Sequence, residues 1–370
     1  MVTNELDAPT QEATSDGGRQ RIVHVWLSGQ SDNVGDSMLR RVYADRLRVL
    51  GRLSAWVGAP ESGYAAGLRL GSDEVASSYA KWCAEFARTA ATGNGVFAFN
   101  AGEFVPTRRY VAGVAALLPL ILLLKLRGGH IVWLGAGVRR TRPGFTWPFS
   151  LLARWSDLLL WRDATSVRLM GRGGTMPDWA FASRGRSPEE STATRDLLTV
   201  SLRGDREPPG DRWVEAVRSL AERLDLAVVV VVQVARDQSA AEVLATRLGS
   251  PLHSWATENH WEQELAVRAL YRRSRLVLSD RLHALVMGMT ESAVPLGWCE
   301  SAGDKITRHF DVIGASWVST GSVDPAKLVD RLDASRLLEL EEATRSALST
   351  AQHEIEGVSV RMSRLTGTRT

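Results

Sequence analysis

Short apolar, strand-forming runs recur along the chain between longer amphipathic stretches. "IVHVWL" (22–27), "VFAFN" (96–100), "HIVWLG" (130–135), "LLTVSL" (197–202), "LAVVVVVQ" (226–233), "RLVLS" (275–279) and "AVPLGW" (293–298) are the clearest predicted strands. A further strand ends at Arg162-Asp163, a candidate structural ion pair. Near-continuous runs such as "AVVVVV" suit strands buried on both faces, as in a parallel sheet covered by helices. Helical spacing appears near 36–50, 74–91, 107–127, 211–224, 239–248 and 261–273. This alternation predicts an α/β chain with right-handed crossovers.

The polar stretch 183–196 breaks the rhythm, which restarts at Leu197. Two Rossmann-like halves facing across a cleft are therefore expected, 20–185 and 197–333, with 186–196 as linker. Residues 1–19 are polar and read as a disordered tail. Asp324-Pro325 has the chemistry of a helix start, and 334–370 should carry a last helix that packs back across both domains. The apolar run "VAGVAALLPLILLL" (111–124) is short for a membrane span and precedes a strand, which favours a buried core helix.

Composition narrows the class. A hydrophobic share of 44% with 24% charged residues fits a soluble protein with a core. Cys83 and Cys299 are too few for a disulfide framework or a zinc site, and the expected compartment is a reducing cytoplasm. A net charge of +3 admits anionic small molecules or a membrane surface, the inner face for a cytoplasmic protein, as partners; it makes no case for nucleic acid.

Open α/β sheets bind ligands outside the carboxyl ends of their strands, so polar residues there are the candidates. After the first strand come Asn33, Gly35 and Asp36. Gly35 suits a tight turn, and Asp36 is either a helix cap or a group that binds a polyol and removes a proton. After "VFAFN" come Gly102 and Glu103; after "HIVWLG" come Arg139, Arg140 and Arg142, a solvated face or an anion site. In the second half Arg203, Arg281 and Lys305 each follow a strand, with Asp280 and His283 beside Arg281. Three cations around one imidazole suit a small, multiply charged anion that undergoes proton transfer. The competing reading pairs Arg281 with Asp280 and Arg203 with Asp205 as structural salt bridges.

"DNVGDSMLRRVY", "VSLR", "SDRLHALVMGMTESAVP", "GDK", "GAGV" and "WRDATSVRL" together resemble the polysaccharide pyruvyl transferase family, in order, from about residue 22 to about 315. The chain departs from that pattern at "FNAGEF", where the family often has a glycine run, and at "WCESAGDK", which replaces the aromatic often found shortly before the lysine. The resemblance implies a GT-B-like fold with an acceptor-side first domain and a donor-side second domain. It implies transfer of a pyruvyl group from phosphoenolpyruvate to two hydroxyls of a sugar, oligosaccharide or lipid-linked glycan, with release of phosphate. Arg203, Arg281 and Lys305 would bind the donor; His283 would be the acid, oriented by Asp280; Asp36 would be the base. Asn33, Gly35 and Glu103 would support the acceptor side. No cofactor is called for, and the sequence shows no metal-ligand cluster. Two rivals share the expected architecture: a GT-B glycosyltransferase with a nucleotide-sugar donor, and a non-catalytic carbohydrate-binding relative. Enzymes of the former kind commonly read the donor ribose and sugar with paired glutamates, and Glu291 is the only glutamate in the 279–298 stretch.

Overall fold

The computed structural model describes residues 20–59, 61–139, 144–183, 194–298, 305–319 and 332–367. The expected tail, most of the linker, Arg140, Arg142, Cys299 and the Asp324-Pro325 helix start lie outside these residues.

In the first half, strands β1 (Ile22–Trp26), β2 (Arg52–Trp56), β3 (Gly95–Phe99), β4 (Gly102–Phe104), β5 (His130–Val138), β6 (Leu158–Trp161) and β7 (Gly174–Thr175) form one sheet. Its order is β2-β1-β3-β5-β6-β7, with β4 added on β5, and every pairing is parallel. Helices α1 (Val34–Leu47), α2 (Gly63–Leu68), α3 (Tyr79–Thr92), α4 (Arg108–Leu126), α5 (Trp147–Trp155) and α6 (Ala164–Met170) accompany it. In the second half β8 (Leu197–Ser201), β9 (Ala227–Val231), β10 (Leu252–His253), β11 (Ser274–Ser279) and β12 (Val294–Gly297) form a parallel sheet in the order β10-β9-β8-β11-β12. It carries α7 (Asp211–Arg223), α8 (Gln238–Leu248), α9 (His260–Arg273), α10 (Leu282–Thr290) and α11 (Lys305–Val312). The strands β8, β11 and β12 are neighbours, so Arg203, Arg281 and Lys305 do follow three adjacent strand ends.

Each sheet is buried on both faces, as its apolar runs require. The outer face of the first packs Trp82, Phe86, Phe97, Trp133 and Trp161 under α3 and α4. The outer face of the second packs Trp213, Val217, Leu220 and Leu244. The inner faces share one apolar cluster, running from Val23 and Val25 through Met38 of α1 to Leu285 and Met289 of α10. The last helix, α12 (Ala334–Leu365), spans both halves. Its start pairs Glu341 with Arg275 at 2.7 Å, and further along Glu356 meets Arg46 at 2.6 Å.

Helix α4 departs from the expectation of a core helix. Val114, Leu117, Ile121 and Leu124 are buried, while Leu122 and Leu126 on the opposite side are 37% and 75% exposed. Its apolar surface exceeds what the domain covers.

Candidate active site

The carboxyl ends of the two sheets meet at a cavity of about 690 Å³. From the first half, Asn33, Asp36 and Glu103 line it; from the second come Arg203, Asp280, Arg281, His283 and Lys305. Gly35, the remaining candidate, packs against His283. All nine sequence-derived positions are thus brought together. Among the described lining residues, seven Arg or Lys side chains face four carboxylates, so the wall carries excess positive charge. Arg139, from the arginine cluster, is one of them.

Local structure explains each placement, and in several cases corrects the expected role. Asn33, not Asp36, caps α1: its side chain accepts the Gly35 N–H at 3.0 Å. Asp36 sits in the first turn, accepts the Gln30 N–H at 3.1 Å and pairs with Arg40 at 3.3 Å. Burial works to raise its carboxyl, but Arg40, His283 and Lys305 outweigh this and hold it below the ordinary range. Gly35 is helical and makes no left-handed turn. Its purpose is close approach: a Cβ there would lie 2.5 Å from His283 Cβ and Nδ1.

His283 lies in the first turn of α10, buried, with Nε2 making no hydrogen bond among the described residues. The carboxylate near it is Asp178, whose Oδ2 is 3.8 Å from Nε2, and not Asp280. Asp178 is held in turn by Arg162 at 2.8 Å, and that guanidinium also reaches Glu103 at 3.3 Å. Burial opposes ionisation of Asp178, yet His283 and Arg162 keep its carboxyl well below the usual range. Arg162 therefore does not pair with Asp163, which caps α6 and accepts from Ser166 at 2.8 Å. Asp280 instead accepts the backbone N–H of Arg203 at 2.8 Å, and burial pushes its carboxyl up to about 6.

The three cations Arg203, Arg281 and Lys305 all have anionic neighbours. Arg203 makes a two-pronged bond to Asp205, at 2.7 and 2.6 Å. Arg281 makes one to Asp237, at 2.9 and 2.5 Å, rather than to Asp280. Lys305 meets Glu103 at 2.7 Å across the domain boundary. Burial acts to raise the Glu103 carboxyl, but Lys305 and Arg162 bring it down to about 2.

A second cavity, of about 610 Å³, opens beside the first and shares Gln30, Asp36, Glu103 and Val105 with it. Its walls are aromatic, with Trp26, Trp56, Tyr79, Phe104 and Tyr110. Arg40 and Asn100 form its polar floor; Arg40 Nε donates to Asn100 Oδ1 at 2.8 Å. Arg40, Asp178, Asp237 and this aromatic set were not among the residues expected from the sequence. Of the polar groups in this second cavity beyond the expected ones, Asn100 stands at the end of a predicted strand, directly after β3.

No family model matches the chain, and no curated protein matches it. Solved structures do. The MnaA–UDP co-structure from S. aureus is 11% identical with a TM-score of 0.57, covering 95% of this chain and 99% of that one. UDP-GlcNAc 2-epimerase from Neisseria meningitidis bound to UDP-GlcNAc is 8% identical with a TM-score of 0.56, covering 92% and 99%. An O-GlcNAc transferase from Thermobaculum terrenum is 14% identical with a TM-score of 0.50, covering 97% and 71%. At these identities the likeness is one of fold. Two Rossmann-like domains, a cleft between them and a last helix crossing both define the GT-B architecture, and this chain has it.

Proposed function

We propose that the chain is a sugar-modifying transferase that takes a pyruvyl group from phosphoenolpyruvate and closes it as a ketal on two hydroxyls of a glycan. The observation that carries this reading is the convergence of Arg203, Arg281, Lys305 and His283 on one cavity, each delivered by the motif through which the sequence resembles pyruvyl transferases.

The chemistry fits these groups. Phosphoenolpyruvate brings a carboxylate and a phosphate, which planar guanidinium forks and an ammonium can neutralise. Because Arg203 and Arg281 are already engaged by Asp205 and Asp237, donor binding shares or exchanges those partners. A proton from His283 turns the enol CH2 into a methyl group as positive charge develops on the ketal carbon. One acceptor hydroxyl adds to that carbon; the second displaces phosphate. Of the two hydroxyl protons, one restores His283 and the other leaves with phosphate. Asp178 faces Nε2 and so leaves Nδ1 for the substrate. Asp36, which with Glu103 is one of two carboxylates shared by the two cavities, is placed to relay the second hydroxyl proton to the departing phosphate. General acid–base steps of this kind contribute about 10²–10⁴-fold each.

The second reading, a nucleotide-sugar enzyme, is favoured by the fold neighbours solved with UDP or UDP-GlcNAc. Against it, Glu291 is buried in ion pairs with Arg268 and Arg272 and does not line the cleft, so it cannot hold a ribose.

Thermal unfolding with each ligand separates the two. Phosphoenolpyruvate should stabilise the wild type and His283→Ala, by about 2.7 kcal/mol at a hundredfold excess over Kd. It should fail on Arg281→Ala, and only the wild type should release phosphate in the presence of acceptor. Stabilisation by UDP-GlcNAc alone would overturn the pyruvyl reading and establish the nucleotide-sugar one.

A further inference from the structure

We infer that the exposed face of α4 docks on an anionic membrane surface, so that the aromatic cavity opens at the bilayer. This deepens the proposed sugar-transfer reading, on which its substrate clause rests: the acceptor is a glycan carried on a lipid.

The face is continuous. Ala112, Ala116, Pro119, Leu122 and Leu126 are exposed and recur every three or four residues, so they form one apolar stripe along the helix. Arg108 and Arg109 stand exposed at one end of it and Arg127 at the other. None of the three has an ion-pair partner among the described residues, and α4 itself contains no Asp or Glu. On α5, which packs against α4, Trp147 is 51% exposed. A stripe of this kind bordered by arginines is the chemistry of a helix lying in a lipid headgroup layer. The opposite face, with Val114, Leu117, Ile121 and Leu124, is locked into the core of the domain. The helix therefore lies on a membrane and does not cross it.

The charge pattern selects the occupant. A second copy of this face would bring arginine against arginine with no carboxylate on the helix to receive them, whereas acidic lipids supply the counter-charge. The aromatic cavity supplies continuity. Thr107, Arg109, Tyr110 and Gly113 of the cap and first turns of α4 line it, next to the 39% exposed Val105. A glycan anchored in the bilayer reaches the pocket there, while its lipid stays in the membrane.

The test uses the full chain in flotation assays, without donor or acceptor, so its outcome is independent of the reaction. The wild type should bind vesicles of phosphatidylcholine with phosphatidylglycerol, should bind phosphatidylcholine alone far less, and should be released by salt. Each basic residue near an acidic leaflet changes partition about fivefold, so Arg108→Glu with Arg127→Glu should lower binding by roughly 25-fold or more. Leu122→Ser with Leu126→Ser should also weaken it and should keep the wild-type stabilisation by phosphoenolpyruvate, since neither residue lines either of the two cavities described above. Failure of the wild type to bind acidic vesicles would overturn the inference. So would wild-type dimers that the serine variant converts to monomers, which would make the face a contact between copies.

Discussion

Two residues show how closely the cleft is built. At Gly35 the backbone of α1 passes so near His283 that no side chain fits between them. Gly35→Ala should force the imidazole aside, costing about 1–3 kcal/mol as an overpacked site does. Phosphate release should fall far more than the melting temperature, because the ring that moves is the proposed acid. Asp280 is the second. Its folded-state pKa of about 6 stands above the ordinary 3.8, so in that interval the folded chain holds a proton that the unfolded chain has released. Stability from this group is therefore full below about 3.8, declines as pH rises through about 6, and is absent above. The difference is roughly 3 kcal/mol. Denaturant titrations across this range should show the decline in the wild type and a flatter profile in Asp280→Asn.

At the level of elements, α1 and α9 are joined across the domain boundary by buried charge. Glu264 of α9 receives Arg41 of α1 at 2.6 Å and Arg268 at 2.8 Å, and Arg268 also donates to Ser183 and binds Glu291. Glu264→Gln removes the anion between two guanidinium groups, and losing one partner of a buried pair costs about 3–5 kcal/mol. A lower melting temperature in that variant, with Arg46→Ala at the exposed contact to α12 nearly neutral, is the expected contrast. Elements such as these mark the limit of what could be read beforehand. Strands with long apolar runs, β9 and β11 among them, and the polar residues at their exits were legible, because burial on both faces writes itself into composition. The short β2, "RLSAW", was not, since polar residues interrupt it, and neither was the two-residue β10. Asp178 and Asp237 were illegible for another reason. Each acquires its meaning from a partner far away in sequence, Arg162 and His283 for the first and Arg281 for the second. The exposed side of α4 was hidden because its sequence is apolar all round, and periodicity alone does not tell a core from a surface that meets lipid.

For the whole molecule, the shared apolar cluster matters most. Domains joined by small polar contacts move freely, whereas a large hydrophobic interface holds them together. Here the inner cores are continuous through α1 and α10, and α12 ties both ends. The backbone bridge between Asn33 and Val234, with Asp32 paired to Arg236 at 2.7 Å, adds a further link at the rim of the cleft. Access therefore depends on side-chain rearrangement more than on wide opening. The common wall of the two cavities, formed by Gln30, Asp36, Glu103 and Val105, then has a kinetic consequence. On the proposed function, a glycan seated against it would stand over the mouth of the donor site, and turnover would follow a compulsory sequence, donor first and acceptor second. An unreactive acceptor analogue should accordingly inhibit uncompetitively when the donor is varied and competitively when the acceptor is varied.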